Sequence, residues 1–184
     1  MKSGFLVSCT LLACGGMPLG SAIASPSSLN GILSPIPFAI SQSSLKVSQS
    51  IGVTNFETEL LKLTNLERRK VGLAPLKLSS KLTKAAQSHA EDMANKNYFS
   101  HTGKNGSTMA DRTKATGYKY SFLGENLAAG RATPEGTIRQ WMNSTGHRAN
   151  ILNANFTEIG FGYATAPNSR YRHYWVQVFG TPRN

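Results

Sequence analysis

Two histidines and one glutamate are the residues of this chain best suited to chemistry. His101 lies between the stretches NYFS and TGKNG, Glu125 lies in FLGENLAAG, and His147 lies in WMNSTGHRANIL. Apolar neighbours suggest that Glu125 is buried, and a buried carboxylate requires a hydrogen-bonding or cationic partner. We therefore expect both histidines to approach Glu125, either as a hydrogen-bonded cluster or as a two-histidine, one-carboxylate metal site.

The spacing of these residues does not decide between a cluster and a metal site. They are separated by 24 residues (101 to 125) and 22 residues (125 to 147), whereas recognisable zinc sites usually place two ligands close together on one element. A divalent cation such as zinc, held by His101, Glu125 and His147, stays an open alternative. Nucleophilic hydrolysis is disfavoured, because neither Ser144 nor Thr145 lies in a nucleophile-elbow pattern.

Helical periodicity predicts two helices before this cluster. Thr54 and Glu57 form a capping-box pattern, which predicts a first helix from about residue 55 to 71. A second helix is predicted to begin at Ser79 or Ser80. The residues spaced for its buried face are Leu82, Ala86, His89 and Met93. We expect that histidine to pack in the core and to donate to a backbone carbonyl.

A third helix and a C-terminal hairpin complete the predicted elements. Thr133 and Pro134 begin the helix, and Gly146 is placed to end it, so that His147 opens the following loop. From residue 158 to 179, apolar residues alternate at period two on either side of a Pro-Asn-Ser turn, which is typical of an antiparallel hairpin. Both strand faces carry bulky residues, so we expect helices to cover both faces of the sheet.

Residues 1–24 have the pattern of a secretory signal peptide. Lys2 precedes an apolar run that is shorter than the roughly 20 residues of a membrane-spanning helix, and small residues end the segment. Both cysteines, Cys9 and Cys14, lie within it, so we expect the exported protein to lack thiols. In the alternative interpretation, LLAC is a lipoprotein cleavage box and Cys14 is lipidated.

The rest of the chain divides into a linker and one domain. Residues 25–54 are rich in serine and proline and are interpreted as a linker, with docking through Ile36, Phe38 and Ile40 as the alternative. Residues 55–184 are long enough for one folded domain, which we expect to be monomeric. No later segment has the length and hydropathy of a transmembrane helix.

The chain carries a large excess of positive charge. Twenty lysines and arginines stand against nine acidic residues, a net charge of +11. Removal of Lys2 with the signal peptide leaves 19 against 9, or +10. We expect an anionic envelope polymer or lipid surface as partner, and no nucleic acid, because no nucleic-acid motif is present. The alternative is a basic surface that only maintains solubility.

Five stretches of this chain form an ordered set of motifs within residues 56–181. They are LLKLTNLERRKVGLAPLKLSSKL, YFSH, GENLA, GHRANIL and YWVQVFG. In sequence and order they resemble motifs of the CAP superfamily, which is named for cysteine-rich secretory proteins, antigen 5 and pathogenesis-related 1 proteins. The chain is similar to the bacterial, cysteine-free SCP-domain type. This resemblance implies an α/β fold, a three-layer α-β-α sandwich with an antiparallel central sheet, and a cleft lined by histidine and glutamate.

The resemblance carries over only part of the family's cleft. His101 matches its first histidine and Glu125 the glutamate of its GEN motif. Ser144 stands where eukaryotic members have a second glutamate, and Tyr174 stands where they have a second histidine. His147 is therefore the candidate that completes the cleft. The predicted cleft residues are His101, Glu125, Asn126, His147 and Tyr174.

The resemblance implies no agreed reaction. We therefore favour a secreted, non-enzymatic binding module at or outside the cell envelope, in which the polar cluster fixes the loops of a binding cleft. The alternative is a metal-dependent extracellular hydrolase that uses His101, Glu125 and His147.

Overall fold

The computed structural model describes the backbone of residues 42–183 and the side chains of residues 56–183. The predicted signal peptide, both cysteines and the first part of the predicted linker lie outside the described residues. In chain order the elements are α1 (Gln42–Arg69), β1 (Lys77–Leu78), α2 (Ser80–Asn95), α3 (Met109–Ala115), β2 (Tyr120–Ala129), α4 (Pro134–Met142), α5 (Thr145–Ile151), β3 (Glu158–Ala166) and β4 (Arg172–Pro182). Among these, no helix is long and apolar enough to cross a membrane.

Helix α1 is longer than the sequence pattern predicted. It begins at Gln42 rather than near residue 55, so residues 42–54 of the predicted linker are helical and Thr54 is not an N-cap. This stretch contains no proline and only one glycine, so its intrinsic preferences do not stop a helix. The predicted end is close to correct, because α1 ends at Arg69 and Gly72 follows with φ of +75°.

The central sheet has the strand order β1-β3-β4-β2. The predicted hairpin is confirmed: β3 pairs antiparallel with β4, from Glu158 opposite Gly180 to Ala166 opposite Arg172. Strand β2, which the periodicity did not predict, pairs antiparallel with the other side of β4. The two-residue strand β1 adds a parallel edge beside β3. The predicted antiparallel sheet is therefore confirmed except at this short edge.

Helices cover both faces of the sheet, as predicted. On one face, α1, α4 and α5 pack against β3 and β4 through a cluster that includes Leu60, Trp141, Ile151, Trp175 and Phe179. On the other face, α2 contributes the predicted buried stripe, which contacts Tyr174, Val176 and Val178. A Cβ at Gly160 would lie 2.0 Å from the backbone nitrogen of Thr83, so glycine lets α2 lie directly on β3. The result is the expected three-layer α-β-α sandwich.

The segment around His147 is helical, and the prediction of a loop there is wrong. Helix α4 ends at Met142, and Ser144, with φ of −105° and ψ of 124°, is the N-cap of α5. An extended residue at this point interrupts one helix and starts the next. Gly146 does not adopt the positive φ of a helix-ending glycine, and it lies with His147 in the first turn of α5.

Candidate functional site

Glu125 lies in the middle of the edge strand β2 and is the centre of the candidate site. It is opposite Val178 of β4, and residues opposite each other share a face of the sheet, so its side chain faces α2. The side chain is only 2% exposed. Its Oε1 lies 2.8 Å from Nδ1 of His101, and its Oε2 accepts a hydrogen bond of 2.7 Å from Nη2 of Arg112. Both carboxylate oxygens therefore have partners.

Arg112 is the partner of Glu125 that the sequence analysis missed. It lies on α3, which begins with a capping box: Thr108 Oγ1 accepts from the Asp111 amide, and Asp111 accepts from the Thr108 amide. The Thr-x-x-Asp pattern was the available signal for this helix. Nη1 of Arg112 also donates to the carbonyl oxygens of His101 and Ser107, at 3.1 and 3.0 Å. One guanidinium thus joins the His101 loop, α3 and β2.

His101 is the member of the cluster that reaches the surface, since its side chain is 61% exposed. In a neutral ring whose Nδ1–H donates to Glu125, Nε2 is the acceptor nitrogen. A buried carboxylate thus orients an exposed imidazole. The same orientation suits a general base and a metal ligand.

His147 lies in the layer on the opposite face of the sheet from the Glu125 side chain. Asn126, the next residue of β2, points to that face and is opposite Gln177 of β4. The Nδ2 of Asn126 donates to the backbone carbonyl of His147 and to Oε1 of Gln177, both at 3.0 Å. No hydrogen bond joins the His147 imidazole to Glu125 within the described part of the chain. The two residues are coupled through the backbone of β2.

Amide side chains hold α5 against the edge of the sheet. Asn150 donates to the backbone carbonyl of Glu125 at 3.2 Å and to Oδ1 of Asn126 at 2.8 Å. Gln177 in turn donates to Thr64 of α1 at 2.9 Å. The GHRANIL motif therefore fixes the position of β2 through Asn150 and the His147 carbonyl. Asn150 was the second site residue that the sequence analysis missed.

The imidazole of His147 is half-buried and electrostatically coupled to His101. Burial lowers the pKa of His147, and the charge of His101 lowers it further. Its Nδ1 is buried and makes no hydrogen bond to any described residue. The two predicted histidines are thus close enough to influence each other, although they lie on different layers.

Tyr174 is a correction to the predicted cleft. It is on the same face of the sheet as Glu125, but its side chain is fully buried in the cluster beneath α2. It makes an edge-on ring contact with Tyr171 at 6.0 Å. Tyr174 belongs to the core because bulky residues of β4 fill the space under α2, and it offers no surface to a ligand.

His89 packs as predicted. It is 1% exposed, and its Nε2 lies 2.9 Å from the carbonyl oxygen of Ser100. Burial lowers its pKa, and the charge of Arg112 lowers it further. A cleft of about 560 Å³ between α2 and α3 is lined by His89 and Arg112 and lies beside the cluster.

The donor atoms of the site fit an ion-paired cluster better than a metal centre. Arg112 occupies Oε2 of Glu125, and no hydrogen bond joins the His147 side chain to this carboxylate among the described residues. No three His, Cys, Asp or Glu side chains of residues 56–183 are arranged to hold a metal ion. Zinc binding by His101, Glu125 and His147 stays an untested alternative, and a titration that tests it is given below.

Comparison with known families assigns the domain. The sequence profile of the cysteine-rich secretory protein family matches residues 61–179, which is more than half of the chain. The chain belongs to the CAP family. The resemblance noted from the sequence and the α-β-α fold that it implied are therefore confirmed.

Bacterial proteins are among the relatives of this CAP domain. YkwD of Bacillus subtilis (strain 168) is 40% identical over 146 residues, which are 79% of this chain and 55% of YkwD. A solved extracellular protein containing a SCP domain, from Bacillus anthracis str. Ames, has 31% identity and a TM-score of 0.62. That match covers 69% of this chain and 40% of the solved chain. This chain therefore spans about half the length of YkwD, and whole-protein activities do not carry over.

A more distant structure shows the same fold. An outer surface protein from Borrelia burgdorferi has a TM-score of 0.59 at 22% identity. The match covers 77% of this chain and 95% of the Borrelia chain. At this identity the likeness supports the CAP fold and nothing about the site.

Proposed function

We propose that this CAP domain is a secreted, non-enzymatic binding module that recognises an anionic partner at or outside the cell envelope. The observation that carries the proposal is the pairing of Glu125. A catalytic carboxylate needs an oxygen directed at substrate, water or metal. In Glu125, Oε1 contacts His101 and Oε2 contacts Arg112. This arrangement favours a cluster that orders the loop and α3 over a reacting group.

The location is supported by one sequence prediction and one comparison. Residues 1–24 are predicted to be a signal peptide. A related solved protein is an extracellular protein of Bacillus anthracis. An exported protein meets wall polymers and lipid headgroups before any intracellular polyanion.

The charge of the chain supports an anionic partner. The net charge of +10 expected for the exported protein (19 basic against 9 acidic residues) attracts polyanions over a distance set by salt, roughly 8 Å at physiological ionic strength. Binding to isolated cell-wall material should therefore weaken steeply as salt is raised. A sedimentation assay of the exported protein at two salt concentrations measures this. Retention that does not change with salt would contradict the proposal.

A metal-dependent hydrolase is the second candidate, and the orientation of His101 favours it. A buried carboxylate bonded to one imidazole nitrogen is the arrangement that often supports a metal-binding histidine. His101 has this arrangement with Glu125, and its side chain is exposed. Hydrolysis of wall material that depends on added zinc and is lost in His101→Ala would favour this candidate over the binding module.

A further inference from the structure

A basic groove lies away from the His101 cluster, where the start of α2, the end of α3 and the ends of β2 and β4 meet. A cleft of about 570 Å³ adjoins one of about 470 Å³, and the two share Gly117, Tyr118, Lys119 and Arg183 as lining residues. Lys81 lines the first cleft and Lys114 the second. We call this surface the basic groove. It is one continuous concave surface, because the two clefts share four lining residues.

The cations of the basic groove differ from three lysines that are paired elsewhere on the described part of the chain. Lys62, Lys70 and Lys96 each pair with a carboxylate on their own helix. In contrast, Lys81, Lys114, Lys119 and Arg183 make no ion pair with any described carboxylate. Glu158 also lines the groove, so four cationic side chains face one carboxylate. The groove therefore concentrates positive charge that no ion pair among the described residues neutralises.

The backbone of the basic groove is held in place. Lys81 Nζ donates to the carbonyl of Gly117 at 3.2 Å, and the Arg183 amide donates to the carbonyl of Lys119 at 3.0 Å. Tyr118 is 5% exposed and packs over Gly180, where a Cβ would lie 2.8 Å from the ring. The floor is thus fixed before any ligand arrives, which lowers the entropic cost of binding.

We propose that the basic groove binds a linear polyanion whose repeat units are joined by phosphodiester links, as part of the anionic recognition proposed above. Lysine binds phosphate as a compact point charge, and a concave groove with four cationic side chains suits a charged polymer chain better than a flat lipid surface. The half-buried ring of Tyr120 lines the second cleft and offers apolar surface to the carbon backbone of the polymer.

The test compares two triple variants that carry the same net charge. The groove variant is Lys81→Gln with Lys114→Gln and Lys119→Gln, and the control is Lys62→Gln with Lys70→Gln and Lys96→Gln. Calorimetry measures binding of the exported protein to linear poly(glycerol phosphate) over a range of salt concentrations. The slope of log affinity against log salt should decrease by about 2 in the groove variant, since each contact contributes roughly 0.7. The control should keep the wild-type slope.

A variant that is expected to strengthen binding shows that weaker binding by the groove variant is not caused by misfolding. Glu158→Gln removes the carboxylate that lines the groove, so it should strengthen binding to the same polymer. A loss of binding that is equal in both triple variants would show a net-charge effect and overturn the groove. Wild type that binds phosphatidylglycerol vesicles but not the polymer would also overturn it.

The outcome for the groove is separable from that for the proposed function. If wild type binds cell-wall material in a salt-dependent way and the groove variant binds equally well, only the groove assignment fails. If wild type does not bind cell-wall material at all, the proposed function fails.

Discussion

Arg68 and Arg112 are both largely buried, but the protein satisfies their charges in different ways. Arg68, at the end of α1, is 1% exposed and donates to four backbone carbonyls, those of Ala74, Ile151, Asn153 and Phe156. Arg112, on α3, donates to two carbonyls and to the carboxylate of Glu125. Burial lowers the pKa of Arg68, since no described carboxylate pairs with it.

The region around Arg68 is closed to solvent, whereas the region around Arg112 reaches the surface. The four hydrogen bonds of Arg68 are all accepted by backbone oxygens, so this arginine fixes the end of α1 against the segment that follows α5. Glu125, which pairs with Arg112, also contacts His101, whose side chain is 61% exposed. Substitutions in the first region should therefore change stability alone, while those in the second should change both stability and surface chemistry.

Replacing Arg68 should have the largest effect. Arg68→Met leaves several buried carbonyls without a donor, at about 1–3 kcal/mol each, so we expect the free energy of unfolding to fall by about 3 kcal/mol or more. Urea unfolding measures it. Arg69→Met is the control, because Arg69 is exposed and surface substitutions usually change stability by under about 0.5 kcal/mol. Equal effects would mean that the carbonyl contacts contribute little.

Breaking the ion pair should have the next largest effect. Arg112→Met leaves the Glu125 carboxylate buried with His101 as its remaining side-chain partner, and losing one partner of a buried pair costs about 3 kcal/mol. The double variant Arg112→Met with Glu125→Gln removes the unpaired charge and should be more stable than Arg112→Met alone. Unfolding of both single variants and the double variant completes the cycle. Additive losses would contradict an ion pair.

Acidification should have a smaller effect. The pKa values of His89 and His147 are lowered, in each case by burial first and then by the charges of Arg112 and His101 respectively. The unfolded chain therefore takes up protons near pH 6.5 that the native protein resists. Stability is full above this pH and is lost as pH falls, by up to about 1.4 kcal/mol per pH unit for each proton.

Two histidine variants test the assignment of this pH dependence. His147→Gln and His89→Gln should each flatten the loss of stability between pH 7 and 5.5, as measured by urea unfolding at several pH values. Glu57, whose pKa is raised by burial, acts with the opposite sign, but only in the carboxylate range at and above pH 4.5. A pH dependence that is unchanged in both variants would exclude the histidines as its source.

Zinc should have the smallest effect. Since Arg112 already occupies one oxygen of Glu125, we expect calorimetric titration with zinc at neutral pH to show no stoichiometric uptake. Glu125→Gln and His147→Ala serve as comparison variants. Uptake by wild type that is abolished by Glu125→Gln and weakened at least roughly tenfold by His147→Ala would restore the metal-dependent hydrolase.

The sequence determined much of the architecture because local patterns act over short distances. One segment by itself reveals the helical period of α2, from Leu82 to Met93, and the alternation of β3 and β4. The cap residue Thr133 likewise marks the start of α4 locally. The packing of His89 and the contact between His101 and Glu125 also followed from residue types.

Tertiary structure decided which groups meet. Arg112 meets Glu125 because α3 packs beside β2. His147 instead contacts Asn126, the next residue of β2, and neighbouring residues of a strand face opposite sides of the sheet. Tyr174 is a core residue because β4 is a central strand whose two faces are both covered by helices. Contacts between distant segments depend on how layers pack in space, and no local period in the sequence records that packing.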